Sequence, residues 1–205
     1  MNKKGLIKYF FAAVFVSVIF ITEETQAQVR GTVWGSSYED VQKTINDASE
    51  YEPLLALALE MSGTKEVNVS NRLKAYTTIQ FTGGETSFVG YVFLDDRLSK
   101  IGVKFPEPNF TVEEFETIAS RLTEKYGEPN SEDWTWYDET FIDMKNEYSY
   151  AIEMAHLGIT YTWDTDKTYL ELSTGNDGTG ETSFTITYYS NELYEEYESA
   201  LPDDF

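Results

Sequence analysis

Residues 75–94, AYTTIQFTGGETSFVGYVFL, contain two runs of β-branched and aromatic residues, one on each side of Gly83-Gly84. Such runs favour β-strands, and a glycine pair between them marks a hairpin turn. Asp95-Asp96 marks the next turn, and residues 98–105 add a third run that ends before two prolines. This stretch therefore predicts an antiparallel β-meander.

A helix is predicted on the N-terminal side of the meander. Ser36 and Glu39 have the spacing of a capping box, in which each side chain satisfies a backbone N–H of the first turn. Val41 and Ile45 follow one turn apart and share one face. Residues 46–52 are expected to break the helix. Leucine alternates with alanine over residues 54–59, which favours a strand, although a short helix is also compatible with that composition.

A second helix is predicted after the meander. Thr111 and Glu114 form its capping box, and Gly127 marks its C-terminal end. Apolar residues follow helical spacing between these ends: Phe115, Ile118, Ala119, Leu122 and Tyr126. A third helix is predicted from about residue 139 to residue 157, because residues 141, 144, 148, 152 and 155 are apolar or aromatic at helical spacing.

Further strands are predicted at residues 159–163, 168–173 and 183–189, separated by turns at 164–166 and 175–181. An acidic tail begins at about residue 190. The pattern predicts an α+β fold, with antiparallel β-meander sheets and two to three helices packed on one side. No linker divides residues 28–205, so we expect a single domain. The succession of helix and strands occurs twice, which suggests a distant internal duplication.

Residues 1–27 have the pattern of a secretory signal peptide. Lys3, Lys4 and Lys8 precede an uncharged apolar run, and Thr25 and Ala27 are small residues suited to a cleavage site. The apolar run is shorter than the ~20 residues of a membrane-spanning helix. We therefore expect an exported protein, periplasmic or secreted, with no stable membrane anchor after cleavage. An uncleaved tether is the alternative.

The formal net charge of −21 restricts the choice of partner. A surface this negative repels phosphate backbones and anionic lipid headgroups, so nucleic acid and membrane surfaces are not expected as ligands. Cationic partners and loosely held divalent ions are compatible with the charge, and so is a purely solubilising role. The sequence does not predict an oligomeric state.

No pattern predicts catalytic residues, a cofactor or a metal site. The chain has no cysteine, which excludes disulfides, thiolate ligands and lipidation. His156 is the single histidine, and no Gly-x-Ser-x-Gly motif accompanies it. Residues 173–181 do not match an EF-hand loop, and Asp164 and Asp166 form either a polar turn or an ion-binding pair. Carboxylates are so abundant that close pairs do not by themselves indicate a glycosidase.

Two short motifs resemble a group of small exported bacterial proteins and lipoproteins. One is RGxxWGxSxxxV over residues 30–41, and the other is KYGEP over residues 125–129; Trp163 and the strand at 168–172 also fit. The resemblance implies a helix-plus-meander layout, similar to that of outer-membrane assembly lipoproteins and β-lactamase inhibitor proteins, and it implies no catalytic residues. The missing cysteine departs from the lipid-anchored members.

Aromatic residues are frequent, with 15 tyrosines, 13 phenylalanines and 4 tryptophans. Tyrosine suits both binding interfaces and half-exposed sheet faces. The predicted binding residues cluster near the acidic C-terminus: Tyr188, Tyr189, Tyr194 and Tyr197. The sequence thus predicts an exported, non-enzymatic domain that binds a protein or peptide partner through an aromatic-lined sheet face or edge. The alternative is a glycan-binding protein or a carboxylate-based glycan hydrolase.

Overall fold

A computed structural model of the chain describes residues 31–51, 65–82, 85–106, 111–176 and 182–202. The predicted signal peptide, the predicted strand at 54–59 and most of the predicted turn at 175–181 lie outside these residues. The helices are α1 (Tyr38–Tyr51), α2 (Val112–Tyr126), α3 (Tyr148–Glu153) and α4 (Tyr194–Glu198). The strands are β1 (Lys65–Asn68), β2 (Leu73–Thr82), β3 (Glu85–Leu94), β4 (Arg97–Pro106), β5 (Ser131–Trp136), β6 (Leu157–Asp164), β7 (Thr168–Asn176) and β8 (Thr182–Ser190).

The eight described strands form one antiparallel sheet in the order β1-β2-β3-β4-β8-β7-β6-β5. Each half of this order is a four-stranded meander, and β4 and β8 join the halves at the centre. Side chains of α1, α2 and α3 pack against one face of the sheet in a single hydrophobic core. These observations confirm the predicted α+β fold class.

Strands β2, β3 and β4 of the first meander and strands β6, β7 and β8 of the second repeat the same pairing at a spacing of 83 residues. The first meander contains the pairs Thr77–Gly90 and Val89–Val103, and the second contains Thr160–Ser173 and Leu172–Ile186. At the centre of the sheet, Val103 pairs with Ile186, which is the residue of the second meander that is equivalent to Val103. A pseudo-twofold axis therefore passes close to this pair. The repeat agrees with the internal duplication that the sequence suggested.

The helix-covered face holds the main hydrophobic core. Directly paired residues of an antiparallel ladder point to the same face, so the register fixes the members of each face. The burial of β6 alternates accordingly, with every second residue from Leu157 to Trp163 buried. Val41 and Ile45 of α1 and Phe115 of α2 are fully enclosed in this core. Burial of these apolar side chains is the main favourable contribution to folding.

The start of α1 differs from the prediction by one residue. Ser37, rather than Ser36, precedes the helix, and its Oγ accepts a hydrogen bond from the backbone N of Asp40 at 3.2 Å. The expected break over residues 46–52 is also wrong, because α1 continues to Tyr51. Residues 46–51 contain no proline or glycine that would interrupt the helical ladder within α1.

The predicted third helix is wrong over most of its length. Residues 139–147 form two 3₁₀ turns, Glu139–Phe141 and Lys145–Glu147, and only α3 is α-helical. Asp138 Oδ1 accepts a hydrogen bond from Thr140 N at 3.0 Å, which caps the first turn locally. Such local side-chain bonds compete with a continuous helix. Ala155, at φ 56°, then turns the chain into β6.

The other predicted elements are present. α2 has the expected Thr111–Glu114 capping box and ends at Gly127, whose φ is 88°. The strands predicted at 75–81, 87–94, 98–105, 159–163, 168–173 and 183–189 lie within β2, β3, β4, β6, β7 and β8. β1 and β5 were not predicted. Both lie at the ends of the strand order, where a strand has one neighbour and tolerates charged residues.

Candidate functional site: the open face of the sheet

The face of the sheet opposite α1, α2 and α3 is called the open face below. Rows of directly paired residues cross it from β3 to β6. The central row consists of Gly90, Gly102, Thr187, Glu171 and Thr162. A second row consists of Phe88, Lys104, Thr185, Ser173 and Thr160. Small and hydroxyl-bearing side chains dominate both rows, so the backbone of the sheet lies close to the surface of this face.

Gly90 and Gly102 pair with each other at the centre of the first meander. Neither residue has a φ in the left-handed region. A Cβ built on either glycine would meet no described heavy atom within 4 Å, its chain neighbours aside. The described surroundings of these two positions therefore do not require glycine. A glycine inside a strand often marks a place where a ligand or another backbone approaches closely.

Aromatic side chains gather at one end of the open face. The Tyr189 ring lies 5.9 Å from the Tyr169 ring and 5.3 Å from the Tyr194 ring, measured between centroids. The Lys100 Nζ atom lies 4.8 Å from the centroid of the Tyr189 ring, in a cation–π contact. Burial, with a further contribution from Glu171, raises the pKa of Tyr189 to about 12. The phenol is therefore neutral at physiological pH and can both donate and accept hydrogen bonds.

The four predicted binding tyrosines separate into two pairs. Tyr189 is half-buried and Tyr194 is 37 % exposed, so both rings are accessible on the open face. Tyr188 points to the helix-covered core and is only 7 % exposed, and its burial raises its pKa to about 12. Tyr197 is 6 % exposed and packs with Leu73 and Leu94 in a second small core. Tyr188 thus lies on the opposite face of the sheet from Tyr189, whereas Tyr197 packs beside Tyr189 on the open face and is itself buried.

The short helix α4 covers a corner of the open face. Tyr197 and the C-terminal residues pack beside Val92 and Tyr189, both of which are open-face residues. Arg72 and Arg97 each donate to the carboxylate of Glu196 in α4, and Arg72 also bonds Asp95. The hydrogen bonds from Arg97 and Arg72 lower the pKa of Glu196 below its usual range. These contacts fix the helix and, with it, the Tyr194 ring.

The described residues considered for chemistry are held in local structural contacts. The single histidine, His156, stacks on the Phe141 ring, and its Nδ1 atom lies 3.8 Å from Asp138 Oδ2. Asp164 Oδ1 accepts a hydrogen bond from Asn191 Nδ2 at 3.0 Å, as suits a polar turn. Within the part of the chain that the structure describes, no group of three or more acidic or histidine side chains is arranged to hold a metal ion.

Two features of the open face were missed at the sequence level. The glycine pair is visible in the sequence as single glycines inside strand-forming runs, which is a usable signal. Lys100 gave no signal, because its proximity to Tyr189 depends on the pairing of β4 with β8, which are far apart in sequence. Tyr169 was missed although β7 and β8 are consecutive strands, because the register of that pair was not predicted.

The fold defines an α+β protein with one antiparallel sheet, one face of which is covered by α1, α2 and α3. A family model described as "Uncharacterised protein" matches residues 60–204, so the chain belongs to this family of uncharacterised proteins. Searches of curated proteins and of solved structures each gave no match. No helix among the described residues is long and apolar enough to cross a membrane.

Proposed function

We propose that this protein binds a protein or peptide partner outside the cytoplasm, through the open face. The observation that carries the proposal is the Gly90–Gly102 pair. Glycine in a strand interior is less favourable than alanine by roughly 0.5–1 kcal/mol, and no described residue approaches either position closely enough to require glycine there. A partner whose main chain or side chains lie directly on the sheet supplies such a reason.

The neighbouring side chains suit a polypeptide ligand. Thr185 and Ser173 pair directly beside the glycines and present hydroxyl groups that donate and accept hydrogen bonds. Tyr189, Tyr194 and Lys100 offer rings and a cation at one end of the same face. Aromatic anchors next to adaptable polar contacts are typical of protein interfaces.

The expected location outside the cytoplasm rests on the signal-peptide pattern of residues 1–27. The motif resemblance to small exported bacterial proteins supports the same location. Binding of a partner requires only the groups that the open face presents, whereas catalysis would also require a set of catalytic residues.

Site-specific photo-crosslinking in the producing cells tests the proposal. A photoreactive phenylalanine analogue is placed at Ser173 or Thr185 on the open face, and at exposed Glu124 on the outer side of α2 as a control. We expect a discrete adduct from both open-face positions and none from the control position. Gly102→Arg, which fills the centre of the face, should abolish the adduct, and Gly102→Ser should weaken it less.

The captured partner is then identified and its binding is repeated with purified components. Equal adducts from Glu124, or an adduct that persists in full with Gly102→Arg, would contradict the proposal. Capture of polysaccharide instead of polypeptide would favour a glycan-binding role.

A further inference from the structure

Exposed apolar side chains concentrate in the connection between β5 and β6, away from the open-face glycines. Of the eight large apolar side chains that are exposed in the described residues, five lie here. They are called the apolar patch below: Tyr137, Ile142, Met144, Tyr150 and Met154. Tyr137 is 72 % exposed. Scattered single apolar residues are normal on a surface, whereas a local concentration marks an interaction site.

Contacts beneath the patch hold its parts together. The half-buried Phe141 ring lies 5.8 Å from the Tyr150 ring and 5.6 Å from the His156 ring. Tyr148 Oη donates a hydrogen bond to the carbonyl of Ile142 at 2.7 Å. The Tyr137 backbone N donates to the carbonyl of His156 at 2.8 Å. The two 3₁₀ turns and α3 therefore form one continuous platform that carries the patch.

Carboxylates surround the same segment. Residues 137–147 contain four acidic side chains and a single lysine: Asp138, Glu139, Asp143, Glu147 and Lys145. The neighbouring edge strand β5 adds exposed Glu132, which pairs with Tyr161 and so lies on the helix-covered side of the sheet. An apolar centre with an acidic rim is complementary to a surface that carries apolar side chains between lysines or arginines.

We propose that the apolar patch binds a cationic amphipathic segment of a partner protein. The apolar side chains of that segment lie on the methionines and tyrosines, and its lysines or arginines face the carboxylates. Methionine side chains adapt to irregular apolar surfaces, which suits recognition of such a segment. A second copy of this chain is disfavoured as the occupant, because it would bring like charges together at a net charge of −21 per chain. An anionic membrane is disfavoured for the same reason.

Binding of synthetic peptides to the full chain tests this inference. The probe is a labelled helix-forming peptide of leucine and lysine with its leucines on one face. The control peptide has the same composition with the leucines distributed around the helix. We expect the first peptide to bind more tightly, and its affinity to fall as salt is added. Titration by fluorescence anisotropy gives both affinities.

Paired variants locate the site. Met144→Gln with Tyr150→Gln removes apolar contact area, and Glu139→Lys with Asp143→Lys reverses part of the rim. Each pair should weaken binding by about tenfold, which corresponds to roughly 1.4 kcal/mol. All four residues are exposed, so circular dichroism should not change, and the thermal midpoint should fall only slightly through loss of the Tyr150–Phe141 ring contact.

Gly102→Arg on the open face should leave peptide binding unchanged, so this inference and the proposed function fail separately. The inference is overturned if both variant pairs bind the peptide as the unmodified chain does, or if the two peptides bind equally. It is also overturned if the chain forms a dimer that Met144→Gln disrupts, or if it binds vesicles of anionic lipid through the patch.

Discussion

Gly90 and Gly102 face each other across β3 and β4, at the centre of a sheet face that no described helix covers at that point. Two adjacent strands therefore lack side chains at directly paired positions. The pair makes a shallow, main-chain-lined area on an otherwise side-chain-covered surface. This relationship allows stability and binding to be separated by substitution.

Gly102→Ala should make the isolated protein more stable. Alanine fits without strain at this position, and it restricts the unfolded chain more than glycine does. The free energy of unfolding should rise by about 0.4–1 kcal/mol. Denaturant-induced unfolding, followed by tryptophan fluorescence, measures the change, and binding to the captured partner should weaken at the same time.

Gly127→Ala is the matched control. Gly127 ends α2 with a φ of 88°, a conformation that side chains disfavour, so this substitution should lower stability. If Gly102→Ala also lowered stability, the argument that the open-face glycines serve an external partner would lose its basis.

The Trp34 side chain should couple the two halves of the protein. Its Nε1 donates a hydrogen bond to Thr168 Oγ1 at 2.9 Å. Trp34 lies just before α1 and the first meander, whereas Thr168 begins β7 of the second meander. A double-mutant cycle with Trp34→Phe and Thr168→Val should give a coupling energy of about 1 kcal/mol. Additive effects of the two substitutions on unfolding would contradict this coupling.

Phe115 should be the most sensitive position of α2. Its ring is fully buried and makes an edge-to-face contact with Tyr161 at 5.3 Å between centroids. Phe115→Ala should reduce the free energy of unfolding by about 3–5 kcal/mol, because a cavity remains in the core. Glu124→Ala on the outer face of the same helix should change it by less than about 0.5 kcal/mol.

The attachment of α4 should weaken in acid. The folded-state pKa values of Asp95 and Glu196 are lowered by Arg72 and Arg97, so the stabilisation is complete above the unfolded pKa values, near pH 4, and is lost as pH falls through the lowered values. The thermal midpoints of the unmodified protein and of Glu196→Gln should therefore differ at neutral pH and converge as the pH falls through the lowered folded-state pKa of Glu196. A pH-independent difference would mean that Glu196 acts through packing alone.

The sequence predicted those parts of the fold that depend on local rules. The capping box of α2, the Asp95-Asp96 turn and six strands follow from residue type and spacing within short windows. The helix predicted over residues 139–157 is wrong because Asp138 caps a short 3₁₀ turn and residues 139–147 contain two such turns. The spacing of apolar residues does not distinguish these turns from a continuous helix.

The candidate surface was less accessible to sequence reasoning. The cluster of tyrosines near residues 189–194 was predicted. The burial of Tyr188 depends on the strand register, and that of Tyr197 depends on the packing of α4 against Leu73 and Leu94; the sequence shows neither. The contact of Lys100 with Tyr189 depends on the pairing of β4 with β8, and no local pattern predicts such a pairing. The sequence therefore does not provide the register between strands that are far apart along the chain.

The seam between β4 and β8 also has a kinetic consequence. Every other pair of described neighbouring strands is consecutive along the chain, whereas Val103 and Ile186 meet only when a long loop closes. Loop-closure entropy and high contact order make such a step slow. We expect each meander to form early as a local unit and the seam to close last. Refolding of this protein would then be limited by one late collision between two preformed halves.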